Sequence, residues 1–301
     1  MPQSDLPTWI PRVDVLGVAV SAINMDTALE VIDRWITAGV HQYVCVTGVH
    51  GVMESQRNET LREIHNTAGL VTPDGMPLVW LSRLNGWRNT NRVYGPDLML
   101  EVCERSLATG YRHFFYGGGE GVPERLAERL QRRFPGLIVA GTYSPPFRPL
   151  TTSEDDELVR RINDTKPDIV WVGLSTPKQE RWMSEHLNQL SASVLIGVGA
   201  AFDFHAGLKR QAPKWMQHSG MEWFFRLMTE PRRLWRRYLV NNPAFIWLTL
   251  LQIWRARTTS DIDTTSDSPR SPWSGPRTIE PASEARGPRR VSEYPRPPIV
   301  Q

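Results

Sequence analysis

Between Pro11 and Gly220 the sequence returns repeatedly to one rhythm: a short run rich in β-branched and aromatic residues, a break at Gly, Pro, Asp or Thr, then a stretch with helical spacing. Seven runs carry the strand signature: "RVDVLGVAV", "QYVCVTG", "GLVTP", "RHFFYGG", "GLIVAGTY", "DIVWVGL" and "SVLIGVG". Several are continuously apolar rather than alternating, as strands are when both faces are covered. Helical signals fall between most of them. Asp26 to Ala38 starts on an acid and stops before Gly39, Pro96-Asp97 opens a helix ending at Gly110, and Pro123 opens one ending near Phe134. Thr152 or Ser153 caps "EDDELVRRIND", and Pro177 opens "KQERWMSEHLNQL".

This alternation predicts an α/β fold: a mainly parallel, Rossmann-like sheet with helices on both faces, followed by a C-terminal helical appendage. A chain of 301 residues with 40% hydrophobic content can bury one sizeable core without disulfides or metals. Its two cysteines, Cys45 and Cys103, are far apart and form no CxxC, which fits a reducing compartment. The N-terminal segment lacks a basic region followed by an apolar one, so a cytoplasmic location is expected. Tyr238 to Trp254 is 17 residues without a charge but is interrupted by Asn241-Asn242-Pro243, which argues against a membrane span. From Thr258 to Gln301, eight prolines in 44 residues and little apolar periodicity predict a disordered tail.

In a parallel sheet, ligands bind beyond the carboxyl ends of the strands, so the residues just after each run carry most weight. After "QYVCV" comes Thr47, which can cap the next helix or bond a ligand; His50, nearby, reads as a packed or exposed histidine. After "GLVT" comes Asp74, which can be an N-cap, a turn residue or a general base. A closed, apolar setting would raise its pKa from about 3.9. After "RHFFY", Gly117, Gly118, Gly119 and Gly121 precede a helix, an arrangement that lets backbone approach a diphosphate at the helix N-terminus. The spacing is not GxGxxG, and no acidic residue ends the next strand, which disfavours a nicotinamide cofactor. After "DIVWVGL", Lys178 and Gln179 sit in the first turn of a helix facing the same crevice. After "SVLIGVG", Asp203 lies between two phenylalanines and needs a partner, with Lys209 or Arg210 at hand. No HxxH or HExxH occurs, and the one Asp-x-Asp, Asp261-Ile262-Asp263, falls in the tail, so no metal is expected.

Glu222 to Arg257 holds seven Arg, two Glu and four Trp. Arg226, Arg232, Arg233, Arg236 and Arg237, with Trp235, suit an anionic membrane surface, where each basic residue contributes about 1 kcal/mol. Packing against the catalytic core or a second copy, as a homo-oligomer, is the alternative. Apolar residues on every side of Pro243 to Trp254 predict deep burial of that stretch. Nucleic-acid binding is disfavoured, because the basic cluster adjoins an apolar helix rather than an open stacking surface.

Taken together, "TPDGMPLVW", "RVYGPDLM", "FFYGGGEGVPERLAERLQRRFPGL", "STPKQERWM" and "GVGAAFDFHAGLKRQAPKWMQHSGMEWFFRLMTEPRRLWRRYL" resemble, in order and spacing, the WecG/TagA/CpsF glycosyltransferases, glycosyltransferase family 26. The resemblance covers about Val13 to Tyr238. It implies inverting transfer of a sugar, often N-acetylmannosamine or its uronic acid, from a UDP-sugar to a polyprenyl-diphosphate-linked acceptor. It further implies no obligatory metal or other cofactor, and work at the inner face of the cell membrane as a peripheral protein during polysaccharide assembly. By motif, it makes Asp74 the catalytic base, Thr47 a neighbour of it, Arg92 a diphosphate or leaving-group contact and Gln179 a substrate contact. The glycines, Lys178 and Asp203 become the UDP-sugar-binding set. The family often has Asn two positions after the threonine, where this chain has Val49 followed by His50. The implied organisation is a catalytic domain over 1–221, a basic, aromatic membrane-associating appendage over 222–257 and the tail over 258–301. Two other readings of the residues are a different nucleotide-binding α/β enzyme, such as a reductase, and a non-catalytic membrane adaptor.

Overall fold

The computed structural model describes residues 10–262. The first run of the sequence, expected as one strand, is a hairpin of β1 (Arg12–Val15) and β2 (Val18–Ser21), paired antiparallel. Leu16 and Gly17 both take positive φ, 53° and 80°, and the Asp14 carboxylate accepts from the Gly17 N–H at 2.6 Å. A two-residue loop with both φ values positive matches the twist of its strands. Leucine is a poor turn marker, which hid the reversal.

The other six runs form one parallel sheet, as expected. Its strands are β3 (Gln42–Thr47), β4 (Leu70–Pro73), β5 (Arg112–Gly117), β6 (Ile138–Tyr143), β7 (Ile169–Gly173) and β8 (Val194–Gly197), in the order β4-β3-β8-β7-β5-β6. Side chains alternate between its two faces. On β5, Phe115 joins a core layer with Trp171, Phe202, α1 (Met25–Ala38), α5 (Gly95–Thr109) and α6 (Val122–Arg133). Phe114 and Tyr116 point the other way, into a layer with α2 (Val49–Arg57), α3 (Glu59–Thr67), α7 (Thr152–Asp164) and α8 (Lys178–His186).

Helix ends follow local chemistry. Asn24 caps α1 through the Thr27 N–H, and Gly39 and Gly110 close α1 and α5 in the left-handed conformation. Asn58 is extended and accepts from Leu61 N at 2.8 Å, so it ends α2 and starts α3. The cap of α7 is Thr151, one residue before the position expected, because Glu154 is placed to complete a capping box with it. After β4 comes α4 (Met76–Leu84); after β8 come α9 (Ala201–His205), α10 (Lys214–His218), α11 (Glu222–Thr229) and α12 (Pro231–Ile262).

Helix α12 departs from expectation in two ways. It runs unbroken through Pro243 and reaches Ile262, past the anticipated start of the tail; the rest of that tail, 263–301, lies outside the described residues. Contacts on both sides of the proline hold it: Asn241 bonds Arg57 of α2, Phe245 enters the core, and Gln252 donates to Asp14 O and accepts from Leu16 N of the hairpin, both at 3.1 Å. The second departure is that much of the apolar stretch from Pro243 to Trp254 is not deeply buried. Ile246, Trp247, Leu250 and Trp254 are each 57–64% exposed, because only one side of the helix meets the core.

Gly117 ends β5 at φ 122°, and a Cβ there would stand 2.7–2.8 Å from the Gly173 backbone. Backbone strain of this kind costs about 1–3 kcal/mol before the collision is counted. Gly117→Ala is expected to lower unfolding stability by at least that amount, read as the midpoint of urea denaturation.

Candidate active site

The carboxyl ends of β3, β4, β5, β7 and β8 open into a cavity of about 940 Å³, also lined by α11 and by α12 from Arg233 to Ile253. Asp74 lies on its wall, one residue beyond β4, held on three sides. Its N–H donates to Thr47 O at 3.0 Å, its carbonyl accepts from Arg92 Nε, and its Oδ1 accepts from Gly95 N at 3.2 Å, at the start of α5. Asp74 is therefore not the cap of the helix that follows it; Gly75 occupies that position. Among the described residues the one hydrogen bond to this carboxylate is that through Oδ1; the other oxygen lies beside Gly48, 3.8 Å from where a Cβ on that glycine would stand. Burial raises the Asp74 pKa, Arg92 opposes the rise, Glu222 adds to it and the Gly95 N–H opposes it.

Arg92 stacks on the Tyr94 ring at 3.9 Å and donates through Nη2 to Glu222 of α11. Tyr94 donates to the other Glu222 oxygen at 3.1 Å. Sequence reasoning passed over Tyr94 and Glu222, although one carboxylate opening a run of arginines is itself a pairing signal. This roof of α11 and α12 corrects the assignment of the basic cluster. Arg226 and Arg237 line the cavity instead of facing outward, and Nε of each is buried with no partner among the described residues; Arg233 reaches the cavity rim but is 56% exposed and paired with Glu230 at 2.7 Å. Burial lowers Arg237 to about 10, leaving it cationic at neutral pH. Arg232, Trp235 and Arg236 remain on the exposed surface.

Gln179 is buried in the first turn of α8, its Nε2 donating to Glu180 Oε1 at 3.1 Å while its own Oε1 has no partner among the described residues. Thr176 Oγ1 also donates to Glu180 Oε1, at 2.8 Å. Lys178 and Asp203 reach the cavity wall, and Lys209 supplies the partner Asp203 requires at 2.8 Å. Of the four glycines after β5, Gly118 and Gly119 line the cavity; Gly117 is committed to the contact with Gly173, and Gly121 caps α6 at φ 73°. The Thr47 hydroxyl turns inward, 3.1 Å from His65 Nε2 and 3.2 Å from Cys45 O, so it neither lines the cavity nor caps α2.

His50 does line the cavity. Arg57 donates to Asn241 Oδ1 at 2.7 Å, which turns the Asn241 amide N–H toward His50 Nδ1 at 3.3 Å. Burial, then Arg237 and Arg57, hold the imidazole pKa down to about 3, so the ring is neutral and its Nε2 carries the proton. An amide group thus enters this corner from α12. Among the described residues, no three His, Cys, Asp or Glu side chains are grouped to hold a metal ion, and no helix is long and apolar enough to cross a membrane.

A parallel α/β sheet with a desolvated carboxylate and several arginines at its strand ends is the kind of site at which enzymes of this fold class work. Comparison with known sequences names the chemistry. A family model described as "Glycosyl transferase WecG/TagA/CpsF family" matches residues 13–259. An N-acetylglucosaminyldiphosphoundecaprenol N-acetyl-beta-D-mannosaminyltransferase of Bacillus spizizenii is 32% identical over 197 residues, 65% of this chain and 74% of the relative. A Staphylococcus aureus protein of the same name is 27% identical over 241 residues, 78% of this chain and 91% of the relative. The chain belongs to the WecG/TagA/CpsF family and is a glycosyltransferase.

The raised Asp74 pKa has a consequence for stability. A carboxyl group whose pKa is higher folded than unfolded contributes stability below its unfolded value and loses that contribution as pH rises through the folded value. Asp74→Asn keeps the Oδ1 acceptor for Gly95 and removes the desolvated charge. Its melting temperature is expected to exceed wild type at pH 7, with the gap closing as pH falls below the ordinary carboxylate range.

Proposed function

We propose that this enzyme transfers an N-acetylhexosamine-type sugar, N-acetylmannosamine or its uronic acid, from a UDP-sugar to a polyprenyl-diphosphate-linked acceptor, with inversion. The observation that carries the reading is the Asp74 carboxylate, raised in basicity by burial, on the wall of a cavity that Arg92, Arg226 and Arg237 also line. Asp74 takes the proton of the acceptor hydroxyl as its oxygen attacks the anomeric carbon. The bond to the UDP oxygen breaks on the opposite face, and the diphosphate leaves with the electron pair. Arg226, Arg237 and the remaining N–H groups of Arg92 stabilise the developing negative charge, with no metal required. Gly118 and Gly119 give the donor close access to backbone, and Gln179 offers an unpartnered carbonyl to a sugar hydroxyl or amide. His50 presents an N–H where relatives in the family often place an asparagine. The names of the two relatives support the acceptor class.

Incubation with a panel of UDP-sugars and a synthetic polyprenyl-diphosphate-linked N-acetylglucosamine is expected to give product with one N-acetylhexosamine donor. Asp74→Asn should lower kcat by about 10²–10⁴-fold, the usual contribution of a general base. Because the base must be ionised, wild-type kcat/KM should rise with pH along an acid limb placed above the ordinary aspartate range. Transfer at an undiminished rate by the Asn variant would remove Asp74 from the mechanism.

The reading includes a peripheral position on the anionic inner face of the membrane. Exposed Trp235, Trp247 and Trp254, with Arg232 and Arg236 exposed nearby, support it. Glu222 and Phe245 are built into the site and core, so truncation at 222 would open the cavity; substitution is the cleaner test. Replacing the three tryptophans by Ala and the two arginines by Gln should reduce sedimentation with phosphatidylglycerol vesicles and leave thermal stability near wild type.

A further inference from the structure

The cavity does not end at Asp74. It continues as a groove between α4 and α12, lined by Trp80 and Leu84 on one side and by Ile246, Leu250 and Ile253 on the other. Val49 lines the end nearer the base, its backbone nitrogen 3.9 Å from where a Gly75 Cβ would stand. Chemical character changes along this path. Asp74, His50, Asn241 and Arg237 surround the inner end, whereas the outer end is aliphatic and aromatic.

The outer residues are conspicuously unsatisfied for a packed helix pair. Leu84 is 77% exposed and Leu250 57% exposed, although each lines a wall of the same groove. Apolar surface left uncovered forgoes about 25 cal/mol per Å², so a facing pair of such walls is a binding surface for an apolar ligand. The outward tryptophans Trp247 and Trp254 are not part of this lining, so the groove and the exposed outer face of α12 are separate surfaces.

Resting on the acceptor class proposed above, we infer that this groove holds the first isoprene units of the acceptor's polyprenyl chain, with the acceptor's sugar hydroxyl at Asp74 and its diphosphate between the two, beside His50 and Asn241. The dimensions agree. Met76 to Leu84 on α4 and Phe245 to Ile253 on α12 each span eight residue steps, about 12 Å at a rise of 1.5 Å per residue. An isoprene unit contributes four chain bonds of about 1.5 Å, or about 5 Å of extended length, so the walls accommodate two to three units. The neutral His50 ring and the Asn241 amide mark the boundary between the polar and apolar parts of the ligand.

The test measures direct binding by calorimetry, using inorganic diphosphate and prenyl diphosphates of one, three and four isoprene units below their aggregation concentrations. Affinity should rise by about tenfold or more from one unit to three and change little from three to four. Leu84→Gln and Leu250→Gln, both at exposed positions, should each weaken farnesyl diphosphate binding by about tenfold without altering inorganic diphosphate binding or vesicle sedimentation. Affinity independent of chain length, or variants that bind farnesyl diphosphate as wild type does, would overturn the inference. So would a loss that tracks vesicle binding, since the leucines would then serve the membrane face. Transfer to short- and long-chain acceptors with equal KM would sink the groove and leave the proposed reaction standing. Chain-length-dependent binding without transfer from any UDP-sugar would do the reverse.

Discussion

The pairing of Arg92 with Glu222 ties the C-terminal helices to the strand-end site. Arg92 reaches Glu222 from the segment after α4, and Tyr94 secures the second carboxylate oxygen. Both ionic side chains are largely buried, with 13% and 12% of their surface exposed. Removing either partner would strand the other as an uncompensated charge. The pair also decides where charge is available. Glu222 satisfies Arg92 and also adds to the rise of the Asp74 pKa, while Arg226, one helical turn further along, lies 3.9 Å from the same carboxylate and lines the cavity. One contact therefore closes the roof, bears on the Asp74 carboxyl and leaves Arg226 and Arg237 on the cavity wall.

Closure of this kind shows why the appendage and the sheet work as one unit. The sheet supplies rigid backbone positions, and α11 and α12 supply the arginines that the strand ends lack. Asn241 and Gln252 then fasten α12 to α2 and to the hairpin, so the roof is held at several points along its length. The proline in α12 costs a backbone hydrogen bond, and those side-chain contacts on either side of it keep the helix in one piece.

Much of this was legible in the sequence because it depends on local rules. Buried parallel strands read as apolar runs, Gly39 and Gly110 mark helix ends, and Asp74 follows a strand. What was not legible depends on direction. Thr47 is at the strand end that was expected, but its hydroxyl faces His65, a residue brought near only by the packing of α3. The basic run reads as one cluster, yet the fold divides it: Arg226 and Arg237 are drawn into the cavity wall, while Arg232, Arg233 and Arg236 lie on the exposed surface. Composition could not reveal that division. The burial of α12 was overestimated for a related reason, since apolar residues around a helix do not say which sides will find a partner.

The close approach of β5 and β7 carries a consequence for how such an enzyme can diversify. At Gly117 and Gly173, any added side chain would meet backbone or the Phe202 ring within 2.8 Å. This stretch of the cavity floor is therefore closed to side-chain variation. New substrate preferences must be written on the walls, where α4 and α12 present residues with room to change, and the floor persists as an invariant surface beneath them.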